Sequence, residues 1–268
     1  MLESTFIHCP GIGPGTERRI WRAGARTWRD FLALRREIPL PPRQSATLPA
    51  LVEESQKRLE ARDFAWFAER IPVKEHWRAW TAFRTRAAFL DIETTGGNDP
   101  RALTVIGAYD GLRLVQFVRG ENLDEFPEWM ADRALIVTFF GTGFDVPFLR
   151  RAFRMELPQL HIDLCHALRR LGHRGGLKRV EQAFGIRRSN ETAGLDGWDA
   201  VRLWWAWQAG DERAGRKLLA YNAEDVLNLE ILLNAAYPML EARAAGGSER
   251  ASGVVGHEQG RRGDGEAA

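Results

Sequence analysis

Ala87-Ala88-Phe89-Leu90-Asp91-Ile92-Glu93-Thr94-Thr95-Gly96 sets the architecture of this chain. Its apolar run, Ala87 to Leu90, reads as a buried central strand. Residues two apart on a strand face the same side. Asp91 and Glu93 therefore project together, while Ile92 packs into the opposite face. Thr94 to Pro100 then breaks the strand and opens space at its end. Two carboxylates on one face beside an open rim suit Mg²⁺ or Mn²⁺, hard cations that prefer oxygen ligands. Alone, an Asp-x-Glu pair more commonly marks nothing beyond a polar strand end.

Downstream, Leu103 to Tyr109 and Leu112 to Val118 are apolar-rich and flank Asp110-Gly111, a hairpin signal. Leu135 to Phe140 reads as a fourth strand, joined through a helix or loop over Glu121 to Asp132. It feeds Gly141-Thr142-Gly143-Phe144-Asp145-Val146-Pro147. The glycines allow a tight turn, Pro147 fits the first turn of a helix, and Asp145 is placed to cap it. A fixed carboxylate there could also serve a metal site. Leu218 to Ala236 is apolar at helical spacing, with Pro238 expected to end the helix. Helix positions four apart are neighbours, so Tyr221 and Asp225 point at one spot. Asn222 and Glu224 are expected to face elsewhere.

Four acids converging on one site cannot all ionise side by side without cations between them. A pair of divalent metals held in this way can form a phosphodiester-cleaving site.

The order Asp-x-Glu, Phe-Asp, Tyr-x-x-x-Asp resembles the DEDDy class of 3′–5′ exonucleases, which have a ribonuclease-H-like fold. More closely, the chain resembles the bacterial YprB-like family. The stretches that carry this are Phe89 to Gly96, Gly194 to Trp204 and Leu219 to Leu229, within residues 87 to 240. The resemblance implies an α/β fold, a mixed sheet flanked by helices, and a metal-dependent 3′–5′ exonuclease acting on DNA or RNA with two Mg²⁺ or Mn²⁺ ions. It also implies roles. Asp91 would bridge the metals, Glu93 and Asp225 would complete the first, and Asp145 would act on the second. Tyr221 would orient the attacking water. One position departs from the pattern: such proteins often carry Asn-Gly where this chain has Phe140-Gly141. That removes a polar contact and bears on substrate positioning more than on metal binding. The alternative reading is a catalytically silent nucleic-acid-binding adaptor with a nuclease fold.

At the N-terminus, Gly11-Ile12-Gly13 precedes a helical stretch, and Thr27 with Asp30 reads as the cap of a second helix. This resembles a helix-hairpin-helix element. Gly11 and Gly13 would present backbone N–H groups to a phosphate, and Arg18 and Arg19 would add contacts. The expected organisation is this element over 1–38, a Pro-rich extended linker over 39–50, and connecting helices over 51–86, including one from Leu51 to Ile71. The nuclease domain would span 87–241 and a disordered tail 242–268. Asp163 reads as a helix cap near Leu160, Leu164 and Leu168, outside the catalytic set. His161, His166 and His173 have no recognisable ligand spacing and are expected on a solvated face. Trp204 and Trp207 read as core.

The 268 residues suffice for one α/β domain plus a small module, and 44% hydrophobic residues can bury a sizeable core. A net charge of +2 hides a basic zone, Arg150 to Arg188, suited to a polyanion or to a solvated helix face. Two cysteines are too few for a disulfide framework, which fits a reducing cytoplasm. No stretch reads as a signal peptide or a membrane-length apolar run.

Overall fold

The computed structural model describes residues 1–97 and 99–246. Its centre is a sheet of β1 (Ala87–Thr94), β2 (Leu103–Tyr109), β3 (Leu114–Val118), β4 (Leu135–Thr138) and β5 (Leu160–Asp163), in the order β3-β2-β1-β4-β5. β1, β2 and β3 form an antiparallel meander, and β4 and β5 run parallel to β1. The hairpin follows from its turn chemistry. Gly111 takes φ +91°, and Asp110 Oδ1 accepts the N–H groups of Leu112 at 3.0 Å and Arg113 at 2.9 Å. These two residues are thereby held in the turn, so β3 starts at Leu114.

Five helices precede the sheet: α1 (Pro14–Arg22), α2 (Trp28–Leu34), α3 (Pro42–Glu60), α4 (Phe64–Arg70) and α5 (Trp80–Phe83). Within and after it come α6 (Phe126–Ala131), α7 (Asp145–Phe153), α8 (Leu164–Arg170), α9 (Leu177–Ala183), α10 (Gly197–Gln208) and α11 (Glu212–Ala244). β1 divides the core. Ala87 and Phe89 join the cluster beneath Val226, Leu229, Leu232 and Leu233 of α11. Ala88, Leu90 and Ile92 face Phe126 of α6 and Phe148 and Leu149 of α7. Phe6, Ile20, Trp21, Trp28 and Phe31 continue the α11-side cluster. The α2 cap is a reciprocal Thr27–Asp30 capping box.

Several boundaries differ from expectation. The segment expected as an extended linker becomes helical at Pro42, because a proline at the first helical position has no intrahelical bond to lose. Pro49 lies inside α3, whose Leu48 and Val52 are buried. The helix expected from Leu51 to Ile71 is interrupted: Arg62 takes φ +56°, and Asp63 caps α4 by accepting the Trp66 N–H at 3.0 Å. α11 continues through Pro238 to Ala244, carried by buried Tyr237 and Leu240 despite the missing backbone bond. Residues 242–244 are therefore helical, and the expected tail over 247–268 lies outside the described residues. Leu160, read at helical spacing with Leu164 and Leu168, belongs to β5. Among the described residues, no helix is long and apolar enough to cross a membrane.

Candidate metal centre

β1 carries Asp91 and Glu93 on the face that α11 crosses, and α11 carries Asp225. One carboxylate oxygen from each lies within 4.8 Å of the other two. Close approach of helix to sheet is what allows this. Gly107 of β2 pairs with Asp91, and a Cβ there would lie 2.3 Å from Asn222 Oδ1 and 2.6 Å from Val226 Cγ2. Asn222 is fully buried, not turned away as expected. Its Nδ2 donates to Asp91 Oδ2 at 3.2 Å and to the Asp91 carbonyl at 3.4 Å, and its Oδ1 accepts from Gln116 Nε2 at 3.1 Å. Positions 222 and 225 are three apart, so they share the contact face of α11. Glu224 does face elsewhere, accepting from Ser189 N–H at 3.1 Å and from the Thr192 hydroxyl.

Asp145 is the first residue of α7 and is buried, but it does not cap the helix; Phe144 is at the cap position and makes no side-chain bond. Its Oδ1 instead accepts the Ile92 N–H at 3.2 Å. That bond ties α7 to the strand between Asp91 and Glu93. Asp145 is outside the group of three whose oxygens meet.

The site favours a cation. Burial, then the neighbouring carboxylates, raises Asp91 and Glu93 well above the ordinary carboxylate range. Burial likewise pushes Asp145 up to about 7. Asp225 is raised by burial and drawn back by Arg188. Such oxygens would hold Mg²⁺ or Mn²⁺ well, so the donor set fits a hard divalent cation.

Two cations of the basic zone point into the site, where sequence reasoning offered only a diffuse patch or solvated faces. Lys178, at the start of α9, donates from Nζ to the Tyr221 hydroxyl at 2.8 Å and to the Leu195 carbonyl. Arg188 pairs with Asp225 and, at 2.7 Å, with Glu181. Tyr221 is buried; desolvation, then Asp225, Glu93 and Asp91, raise its pKa, so the phenol stays protonated. With Lys178 donating into its oxygen, its own O–H remains to be donated. The sequence pattern marks neither Gly107 nor Glu181, and it turns Asn222 away from the site. Gly107, a glycine inside an apolar strand opposite the acidic pair, was the available signal.

Asp163 caps α8 through the Cys165 N–H at 3.0 Å, as expected. It also accepts the N–H groups of Phe140 at 2.9 Å and Thr142 at 3.0 Å, which fixes the β4–α7 turn. Phe140 takes φ +66° and its side chain is half exposed. His161 departs from the solvated reading: it lies on β5, where its Nε2 pairs with Thr138 Oγ1 at 2.8 Å. His166 is exposed, and His173 packs on Phe184 with ring centroids 4.6 Å apart. Trp204 is buried in the core and meets Trp207 at 5.7 Å. At the N-terminus, Gly11 takes φ +78° and its carbonyl accepts from Gln44 Nε2 at 3.0 Å. Gly13 caps α1, Arg19 donates to Thr16 Oγ1 at 3.2 Å, and Arg18 is half-buried. None of these hydrogen bonds reaches the acidic group.

The chain belongs to the ribonuclease H superfamily, whose model matches residues 88–237. Among solved structures, it is similar to the family B DNA polymerase from the hyperthermophilic archaeon Pyrobaculum calidifontis. The identity is 20% and the TM-score 0.46, over 60% of this chain and 27% of the polymerase chain. No curated protein matches.

Proposed function

We propose that this member of the ribonuclease H superfamily is a metal-dependent 3′–5′ exonuclease of the DEDDy type, within the YprB-like family. The observation that carries the reading is the meeting of Asp91, Glu93 and Asp225 oxygens within 4.8 Å in a buried setting. These three would hold divalent metal, and Asp145 would contribute to a second ion. When bound, such ions neutralise charge on the phosphate and lower the pKa of a water.

The chain's own groups supply positioning. Asn222 orients Asp91. The Ile92 N–H orients Asp145. Tyr221, protonated and braced by Lys178, is placed to donate to the attacking water rather than to take its proton. The substrate is DNA or RNA. Gly11, Gly13, Arg18 and Arg19 would grip its backbone without reading sequence.

The second reading, a silent nucleic-acid-binding adaptor, draws on Phe140 and on the guanidinium already seated at Asp225. A matched pair of linear and circular single strands, with Mn²⁺, separates the possibilities. The exonuclease shortens the linear strand from its 3′ end and spares the circle. Cleavage of the circle means an endonuclease, and binding without cleavage means the adaptor.

A further inference from the structure

Arg188 follows α9, and its side chain is 6% exposed. Its Nε and Nη2 grip Glu181 at 2.7 Å each, and Nη2 also donates to Asp225 Oδ1. Glu181 is buried and accepts from Asn228 Nδ2 at 2.9 Å. Arg188 Nη1 is buried without a hydrogen-bond partner. Most buried guanidinium donors find a partner. Here one donor is idle while another is divided between two carboxylates, one of them in the metal-binding group.

Resting on the metal-site reading above, we propose that Arg188 is an internal cation that competes with divalent metal for Asp225. Metal and guanidinium seek the same oxygen, and like charges in a water-poor site repel. Glu181 provides the second seat. Its grip keeps Arg188 in place once Asp225 is released, so metal entry costs the protein one ion pair and leaves the other intact. Two opposed effects follow. Arg188 shields Asp225 from metal, and Glu181 draws Arg188 away from it.

Calorimetric titration of the full chain with Mn²⁺ tests this directly. Arg188→Gln should tighten Mn²⁺ binding by about tenfold. Glu181→Gln should weaken it, because Arg188 then leans on Asp225 alone. The double variant, which removes Glu181's charge together with Arg188 and so leaves no uncompensated carboxylate at the second seat, should again bind more tightly than wild type, and it decides the matter if Arg188→Gln does not fold. A merely structural Arg188 gives weaker or unchanged binding in both Arg188→Gln and the double variant, which overturns the proposal. An Asp91→Ala control separates the failures. Wild-type Mn²⁺ binding that this control abolishes, without tightening in the Arg188 variants, defeats the competition alone. No binding by wild type or by any variant defeats the metal site with it.

Discussion

Asn222 Nδ2 donates to Asp91 Oδ2 at 3.2 Å, so a single buried amide links α11 to the acid-bearing end of β1. Replacing it with Leu leaves the Asp91 oxygen and Gln116 Nε2 without this partner. The expected cost is about 1–3 kcal/mol of stability, with weaker Mn²⁺ binding. Urea unfolding and calorimetry check both. Wild-type values for each would mean that the amide is incidental.

Gly107 makes room for that contact. Gly107→Ala places a Cβ 2.3 Å from Asn222 Oδ1 and 2.6 Å from Val226 Cγ2. The overpacking should cost about 1–3 kcal/mol. Shortening Asn222 to Ala in the same chain should recover part of it, because the two positions are in contact. Strict additivity of the two losses in urea melts would contradict this.

Much of this arrangement was legible in the sequence. Alternation fixed Asp91 and Glu93 on one face of β1, and spacing by four brought Tyr221 and Asp225 together on α11. The Asp110-Gly111 turn announced the meander. What stayed hidden depends on contacts distant in the chain. Asn222 reads as facing away from Tyr221 and Asp225 until Gly107, 115 positions earlier, is known to lie beneath it. Arg188 reads as one surface arginine among many until Glu181 and Asp225 are seen to share it. Prolines mislead in the opposite direction: Pro42, in the segment expected to be extended, opens a helix, and Pro238, expected to end one, sits inside it beside buried neighbours.

Phe140 holds φ +66°, a region costly for most side chains and milder for asparagine. Phe140→Asn should therefore stabilise the protein by about 0.5–1 kcal/mol. Thermal unfolding reads it. A lower midpoint would show that the half-exposed ring contributes packing that outweighs the strain.

His8 is buried against Ser55 Oγ at 2.7 Å, and burial, then Arg70, lowers its pKa from 6.5 to about 4. The folded state holds the ring neutral, whereas the unfolded chain protonates it below pH 6.5. Its contribution is complete above 6.5 and is lost as pH falls towards 4, by about 3 kcal/mol. Stability of wild type relative to His8→Gln should drop by that order between pH 7 and 4. Parallel pH profiles would refute it.

Metal-dependent exonucleolysis is read directly on 5′-labelled single-stranded DNA and RNA with Mg²⁺ or Mn²⁺, comparing wild type with Asp91→Ala. Wild type should give a ladder shortening from the 3′ end, abolished by EDTA and absent from the folded variant. Equal cleavage by Asp91→Ala at equal purity, or bound strands left intact by wild type, would contradict it.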